Sequence, residues 1–202
     1  MSVLVFAYGS NLCLERLRAR TPSARVVATG FLRGHALRWH KRSRDGSGKC
    51  DAFVSGDATD LVWGAVYELS AADKPVLDHF EGVGDDYFER EVVIETSGAR
   101  IAGAVAYLAN PRWIDAEARP YSWYKEFVVR GAAQHRLPRD YRSVLEAVDV
   151  IEDPDRSRHQ REAAVLASVS PGSATATGSC GERPGPVGFS ELPGPRPPGT
   201  GR

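Results

Sequence analysis

The stretch Val3-Leu4-Val5-Phe6-Ala7-Tyr8-Gly9-Ser10-Asn11 determines how the chain begins to fold. Its β-branched and aromatic residues predict a buried strand over residues 3–8. Gly9-Ser10 predicts a tight turn, and Asn11 is expected to cap a short helix with Leu14 and Leu17 on one face. The amide N–H groups of residues 10–12 would then be unpaired donors, which bind a carboxylate or a phosphate. Taken alone, the same residues also fit an ordinary turn from strand to helix.

The strands and helices that follow predict the fold class. Strands are expected over residues 3–8, 26–32, 35–40, 61–69, 87–96 and 99–108, with a loop over residues 44–49, and Ser97-Gly98 predicts a hairpin between the last two. Helices are expected over residues 70–81, 121–136 and 140–148. Because these helices are short and several strands connect through hairpins, we expect an α+β fold. The expected architecture is a mixed or antiparallel β-barrel with short peripheral helices.

The composition of the chain limits its class. The 202 residues are 42% apolar, and 26 Lys and Arg balance 26 Asp and Glu, so the net charge is zero. This balance favours neither nucleic acid nor a membrane surface as a partner. The three cysteines, Cys13, Cys50 and Cys180, have no CxxC spacing, so we expect no disulfide framework and no zinc site. Their use is typical of a reducing compartment and predicts a cytoplasmic protein.

The composition also divides the chain into three predicted parts. Residues 1–150 are expected to form one catalytic domain, and residues 151–167 a charged linker or a fraying helix. Residues 168–202 are rich in Gly, Pro and Ser and have few large apolar side chains. Such a segment buries too little surface to offset its ordering entropy, so it is predicted to be disordered.

Glu81 is the candidate proton-transfer group. It lies in Leu77-Asp78-His79-Phe80-Glu81-Gly82-Val83, where Gly82 suits the left-handed position just after a helix. The carbonyl end of a helix disfavours negative charge, and Phe80 and Val83 lie beside the carboxyl group. A carboxyl group in such surroundings is expected to exchange protons near neutral pH. An ordinary solvated glutamate before a helix cap is the alternative.

Other polar residues are weaker candidates. Six basic residues between 33 and 49 form a locally basic stretch, which predicts either a solvated face or a surface that attracts an acidic substrate tail. Cys13 and Cys50 are expected to be structural rather than nucleophilic. Asp85 and Asp86 provide too few carboxylates to predict a metal site.

The segments taken together resemble the γ-glutamylcyclotransferases and their AIG2-like relatives. The resemblance rests on ordered motifs: Phe6-Ala7-Tyr8-Gly9-Ser10-Asn11, Trp63-Gly64-Ala65-Val66-Tyr67, Leu77–Val83, Ala106-Tyr107-Leu108, Tyr124-Lys125, Gly131-Ala132 and Leu137-Pro138-Arg139-Asp140-Tyr141. Their order and spacing agree over about residues 3–148.

The resemblance implies a function and a set of site residues. The expected reaction releases 5-oxoproline and a free amine or amino acid from a γ-glutamyl amide, as in glutathione metabolism, with Glu81 as general base and then general acid. The substrate-binding residues it implies are Phe6, Ala7, Tyr8, Gly9, Ser10, Asn11 and Tyr124, with Tyr107 and Tyr141 as weaker candidates. No cofactor and no metal is expected, and the predicted partner is a small-molecule γ-glutamyl substrate of a monomer or homodimer. Two alternatives stay open: a cyclotransferase that removes a γ-glutamyl protecting group from a biosynthetic intermediate, and a noncatalytic binding module.

Overall fold

A computed structural model describes residues 1–167, and the predicted tail over residues 168–202 lies outside this range. The strands are β1 (Ser2–Ala7), β2 (Arg25–Arg33), β3 (His35–Arg42), β4 (Gly48–Val54), β5 (Leu61–Ser70), β6 (Tyr87–Glu95) and β7 (Arg100–Ala109). The helices are α1 (Leu14–Arg20), α2 (Lys74–Glu81), α3 (Ser122–Gln134), α4 (Arg139–Glu146) and α5 (Arg156–Ala167), with short 3-10 turns at Ser10–Leu12 and Pro111–Trp113.

Five strands close into a barrel in the order β1-β5-β2-β6-β7. Neighbouring strands are antiparallel, except that β1 meets β7 in parallel at Val5 and Val105 and so closes the barrel. Strands β3 and β4 form a separate two-stranded sheet. The predicted α+β class and mixed barrel are therefore confirmed.

The barrel interior and the inner faces of the helices form one apolar core. Its largest fully buried side chains include Phe6, Tyr67 and Phe127. Burial of each such side chain contributes about 1.5–3 kcal/mol to folding. Phe6 stands directly before the turn at residues 8–11, so the core holds the base of that turn in place.

Helix α2 ends as the sequence predicts but begins later. Gly82 has φ +61°, a left-handed conformation that glycine adopts readily, so Glu81 is the last helical residue. The start predicted at Ser70 is wrong, because Ser70 still pairs with Ser2 in the barrel. The Asp73 carboxylate accepts hydrogen bonds from the N–H and hydroxyl of Ser23 rather than capping the helix.

The loop predicted over residues 44–49 also needs correction, because β4 begins at Gly48. The N–H of Gly48 donates to the carbonyl of Arg119, so the backbone there is already held by a neighbouring segment.

The charged stretch after residue 150 contains helix α5. Arg16 of α1 forms an ion pair with Glu162, and Leu166 is buried against the core. The boundaries of the three predicted parts stay predictions. Among residues 1–167, no helix is long and apolar enough to cross a membrane.

Candidate active site

One cavity lies where β1 leaves the barrel. It is lined by Val5, Phe6, Ala7, Tyr8, Gly9, Ser10, Asn11, Cys50, Glu81, Tyr87, Tyr107 and Tyr124. The turn after β1, the end of α2 and the first part of α3 therefore meet at one place. The structure brings together every site residue that the resemblance implied, apart from the weaker candidate Tyr141, which does not line this cavity.

The Glu81 carboxylate is held by two partners on one of its oxygens. Asn11 Nδ2 lies 2.8 Å from Oε1, and Arg20 Nη1 lies 3.2 Å from the same atom. Arg20 Nη1 also donates to Asn11 Oδ1 at 2.9 Å, so the three side chains form a closed triangle. The Glu81 side chain is 15% exposed. Within residues 1–167 no donor lies against Oε2, which remains available to a ligand.

This triangle corrects the predicted electrostatics of Glu81. We expected the helix end, Phe80 and Val83 to disfavour its negative charge. Phe80 and Val83 are instead exposed, and the Arg20 guanidinium forms an ion pair with the Glu81 carboxylate.

The turn after β1 also differs from its prediction. Asn11 does not cap α1, because the N-cap is Cys13 and the Asn11 side chain is occupied by Glu81 and Arg20. The N–H of Leu12 donates to the Gly9 carbonyl at 2.9 Å and is not free. Within the described part of the chain, the N–H groups of Ser10 and Asn11 have no hydrogen-bond acceptor. The predicted set of three donors is therefore reduced to two.

Close packing favours a glycine at position 9. Its φ is −100°, which other residues also adopt. A Cβ at this position would lie 3.2 Å from both the Cys50 Cβ and the Tyr124 hydroxyl oxygen. The absence of a side chain thus leaves Tyr124 room to approach the turn.

Three buried tyrosines supply neutral hydroxyl groups to the cavity. The Tyr8 hydroxyl donates to the Tyr107 carbonyl, and the Tyr87 hydroxyl donates to the Cys50 carbonyl at 3.0 Å. The Tyr124 hydroxyl accepts from the Cys50 N–H at 3.0 Å and is also hydrogen-bonded to the Cys50 side chain, a weak acceptor. Burial raises the pKa of Tyr8, Tyr87 and Tyr124 well above the ordinary value. They are therefore proton donors in hydrogen bonds and not bases.

The other candidates are excluded as reactive groups by their surroundings. Burial raises the pKa of the Cys50 thiol to about 12 and that of Cys13 to about 11, so neither is a thiolate nucleophile near neutral pH. Asp86 is paired with Lys41 and Asp85 with Arg44, each at 2.5 Å. Within residues 1–167 no group of three or more His, Cys, Asp or Glu residues could hold a metal ion. Glu81 is the only carboxyl group among the residues that line the cavity.

Comparisons with known proteins identify the family. The chain is 32% identical over 153 residues to human gamma-glutamylcyclotransferase, and the aligned region covers 73% of this chain and 79% of the human protein. It is 30% identical over 158 residues to the mouse protein of that name, covering 72% and 78%. The chain belongs to the γ-glutamylcyclotransferase family. A model of the AIG2-like family matches residues 61–145. A solved structure of a gamma-glutamyl cyclotransferase superposes with a TM-score of 0.73 at 28% identity, over 83% of this chain and 99% of that one.

Four residues of this γ-glutamylcyclotransferase-family site could not be predicted from the motifs. Val5, Cys50 and Tyr87 line the cavity, and Arg20 holds Glu81 from α1. Arg20 could not be singled out locally, because the last turn of α1 also contains Arg18. Because side chains alternate between the two faces of a strand, the face of β1 that contains Val5 can be predicted. That this face borders a cavity cannot be predicted from the sequence.

Proposed function

We propose that this protein is a γ-glutamylcyclotransferase that converts a γ-glutamyl amide into 5-oxoproline and a free amine or amino acid. The observation that carries the proposal is the placement of one carboxylate, Glu81, in a cavity shared with the turn at residues 8–11. The similarity to proteins named gamma-glutamylcyclotransferase over most of the chain supports it.

The substrate is held by its α-carboxylate in this mechanism. The free N–H groups of Ser10 and Asn11 donate to that carboxylate, as unpaired backbone donors do for other anions. Fixing the α-carboxylate folds the γ-glutamyl chain so that its α-amine approaches its own γ-carbonyl. Holding the two groups in contact turns ring closure into a reaction of high effective concentration.

Glu81 carries protons from the nucleophile to the leaving group. The free Oε2 takes a proton from the α-ammonium group, and the α-nitrogen then bonds to the γ-carbonyl carbon to form a tetrahedral intermediate whose ring nitrogen still has two hydrogens. Glu81 next gives its proton to the departing nitrogen, and the bond between that nitrogen and the γ-carbon breaks. The freed carboxylate takes the second proton from the ring nitrogen, which completes the lactam, and the released amine accepts this proton and leaves as an ammonium ion. One carboxyl group thus serves both steps, and no water is consumed.

Neutral donors stabilise the oxyanion of the intermediate. The Tyr124 hydroxyl stands beside the turn, and its hydrogen bond to the weakly accepting Cys50 side chain is readily exchanged for one to an oxyanion, so we assign it to that oxygen. Asn11 contributes its N–H to the substrate while its side chain holds Glu81. Phe6, Ala7 and Tyr8 form the wall of the cavity.

We further propose a cytoplasmic location. Cys13 and Cys50 are both buried free thiols, which is usual for proteins of a reducing compartment. A role in glutathione metabolism and a monomeric or homodimeric state stay predictions.

Incubation with γ-glutamyl-alanine, γ-glutamyl-cysteine and γ-glutamyl amines tests the proposal. We expect 5-oxoproline and the free amine in equal amounts, measured by chromatography. Release of glutamate instead of 5-oxoproline would mean hydrolysis and would contradict ring closure. No product from any member of the panel would leave a binding module as the better interpretation.

A further inference from the structure

A second pocket opens beside the Glu81 cavity and shares Ser10, Glu81, Tyr87 and Tyr124 with it. We call it the basic vestibule and define it by the five cationic side chains that line it: Arg16, Arg20, Lys41, Arg44 and Lys49. Its volume is about 160 Å³, against about 40 Å³ for the inner cavity. A group attached to the γ-carbonyl beside Glu81 has this wider space available to it.

The lining of the vestibule has an excess of positive charge. Glu81 and Asp86 are the only carboxylates among its lining residues, against five cations. The counter-ions of Lys49 and Arg16 are Asp45 and Glu162, and neither lines the pocket. The cations therefore face the pocket while part of the compensating negative charge lies behind them, which favours an anionic ligand.

Lys49 provides an ammonium group deep in the vestibule. Its side chain is 13% exposed, and its Nζ lies 4.7 to 5.5 Å from the ring centres of Tyr121, Trp123 and Tyr124. Two of its three N–H donors reach Asp45 at 2.9 Å and Ser47 at 2.5 Å. The described residues offer no acceptor to the third donor, which is therefore available to a ligand.

Arg44 provides a second positive charge at the mouth. Its side chain is 69% exposed, and its Nη2 lies 2.5 Å from Asp85 and 3.6 Å from Asp86. The guanidinium has five N–H donors, so this pairing leaves donors available to a ligand. The vestibule thus has one largely buried cationic group, Lys49, and one exposed cationic group, Arg44.

We infer that the basic vestibule recognises an acidic amino acid as the leaving group, with Lys49 binding its α-carboxylate and Arg44 its side-chain carboxylate. This inference rests on the proposed function, because the leaving group is defined by ring closure at Glu81. It assigns a role to Arg44 and Lys49, which belong to the locally basic stretch of the sequence. The preferred substrates are then γ-glutamyl-glutamate and γ-glutamyl-aspartate.

A pair of substrates of equal size tests the inference. γ-Glutamyl-glutamate and γ-glutamyl-glutamine differ only in the charge of the outer group. We expect kcat/KM to be about tenfold higher for the glutamate compound at low ionic strength, and the ratio to fall as salt is added. Equal values for the two substrates, with turnover of both, would overturn the inference and leave the proposed function intact.

Two variants locate the effect. Arg44→Gln should bring the ratio close to one by lowering kcat/KM for γ-glutamyl-glutamate about tenfold. Arg25→Gln is the matched control, because Arg25 is 73% exposed, is also paired with a carboxylate and lines a different groove. A ratio unaffected by Arg44→Gln would overturn the assignment of the outer carboxylate.

Binding measurements separate this inference from the proposed function. Calorimetry on the Glu81→Gln protein should give a Kd about tenfold lower for γ-glutamyl-glutamate than for γ-glutamyl-glutamine. If this difference in Kd is present but the wild-type protein turns over neither substrate, the proposed function is overturned and recognition of the acidic group is not. Equal Kd values would overturn recognition of the acidic group.

Discussion

Two carboxylates of this protein, Glu81 and Asp153, are each paired with an arginine in a buried setting, and they differ in how many of their acceptor positions are filled. Arg158 donates to both oxygens of Asp153, at 2.5 and 2.7 Å. The Trp123 indole N–H donates to Oδ2 at 2.8 Å, and the Asp155 N–H to Oδ1 at 2.8 Å. The Asp153 side chain is completely buried, and these bonds join α3 to the segment that leads into α5.

Glu81 has the opposite arrangement. Its two partners share Oε1, and Glu81 lines a cavity while Oε2 has no donor from residues 1–167. A carboxylate whose acceptor positions are all filled stabilises the fold, since any change leaves buried donors unpaired. A carboxylate with one open oxygen in a cavity can exchange a proton with a ligand. The pairing with arginine alone therefore does not distinguish a structural carboxylate from a reactive one.

The Glu81→Gln variant tests the reactive side of this comparison and has the largest expected effect. Glutamine keeps an acceptor for Asn11 and Arg20 but cannot carry the proton, so we expect 5-oxoproline formation to fall about 1,000-fold. The midpoint of thermal unfolding should stay close to that of the wild-type protein.

Glu95→Gln is the matched control, because Glu95 is also paired with an arginine, Arg33, but is absent from the cavity lining. It should retain its activity. Full turnover by the Glu81→Gln protein would remove Glu81 from the mechanism.

The Asp153→Asn variant tests the structural side. An amide cannot accept all four hydrogen bonds and loses the charge that Arg158 requires, so we expect the free energy of unfolding to fall by about 3 kcal/mol. Urea unfolding at pH 7 measures this loss. Turnover per folded molecule should be unchanged, and a large loss of kcat in this variant would contradict the division between the two carboxylates.

The effect of Asp153 should also depend on pH. The hydrogen bonds from Arg158 hold the pKa of Asp153 well below its usual range, whereas the unfolded chain has an ordinary value of about 3.9. A carboxyl group with a lowered native pKa stabilises the fold fully above the unfolded value, and this stability is lost as the pH falls towards the native value. The difference between wild type and Asp153→Asn should therefore be constant from about pH 5 to 8 and shrink below about pH 4. A difference that persists unchanged at pH 3 would contradict this explanation.

Helix and strand boundaries were predictable where neighbouring residues determine them. The hairpin at Ser97-Gly98 and the helix end at Gly82 depend on neighbouring residues, and both are present. The start of α2 and the position of β4 depend on distant partners, Ser2 for Ser70 and Arg119 for Gly48. The propensities of a single segment do not contain that information.

In the candidate site, too, contacts between distant segments could not be predicted from local sequence. The turn after β1 and Glu81 were found from ordered motifs, but the triangle of Asn11, Arg20 and Glu81 was not. Arg18 and Arg20 are both in the last turn of α1, and only the packing of α1 against α2 distinguishes them. Arg18 Nε donates to the Ala24 carbonyl at 3.1 Å instead of reaching the cavity.

The Arg20→Gln variant therefore sharpens the comparison with a smaller expected effect. If Arg20 positions Glu81, kcat should fall about tenfold with little change in KM. Arg20→Lys should restore part of kcat, and Arg18→Gln, from the same helical turn, should leave both parameters unchanged. A rise in KM with unchanged kcat would instead show that Arg20 binds substrate and does not position Glu81.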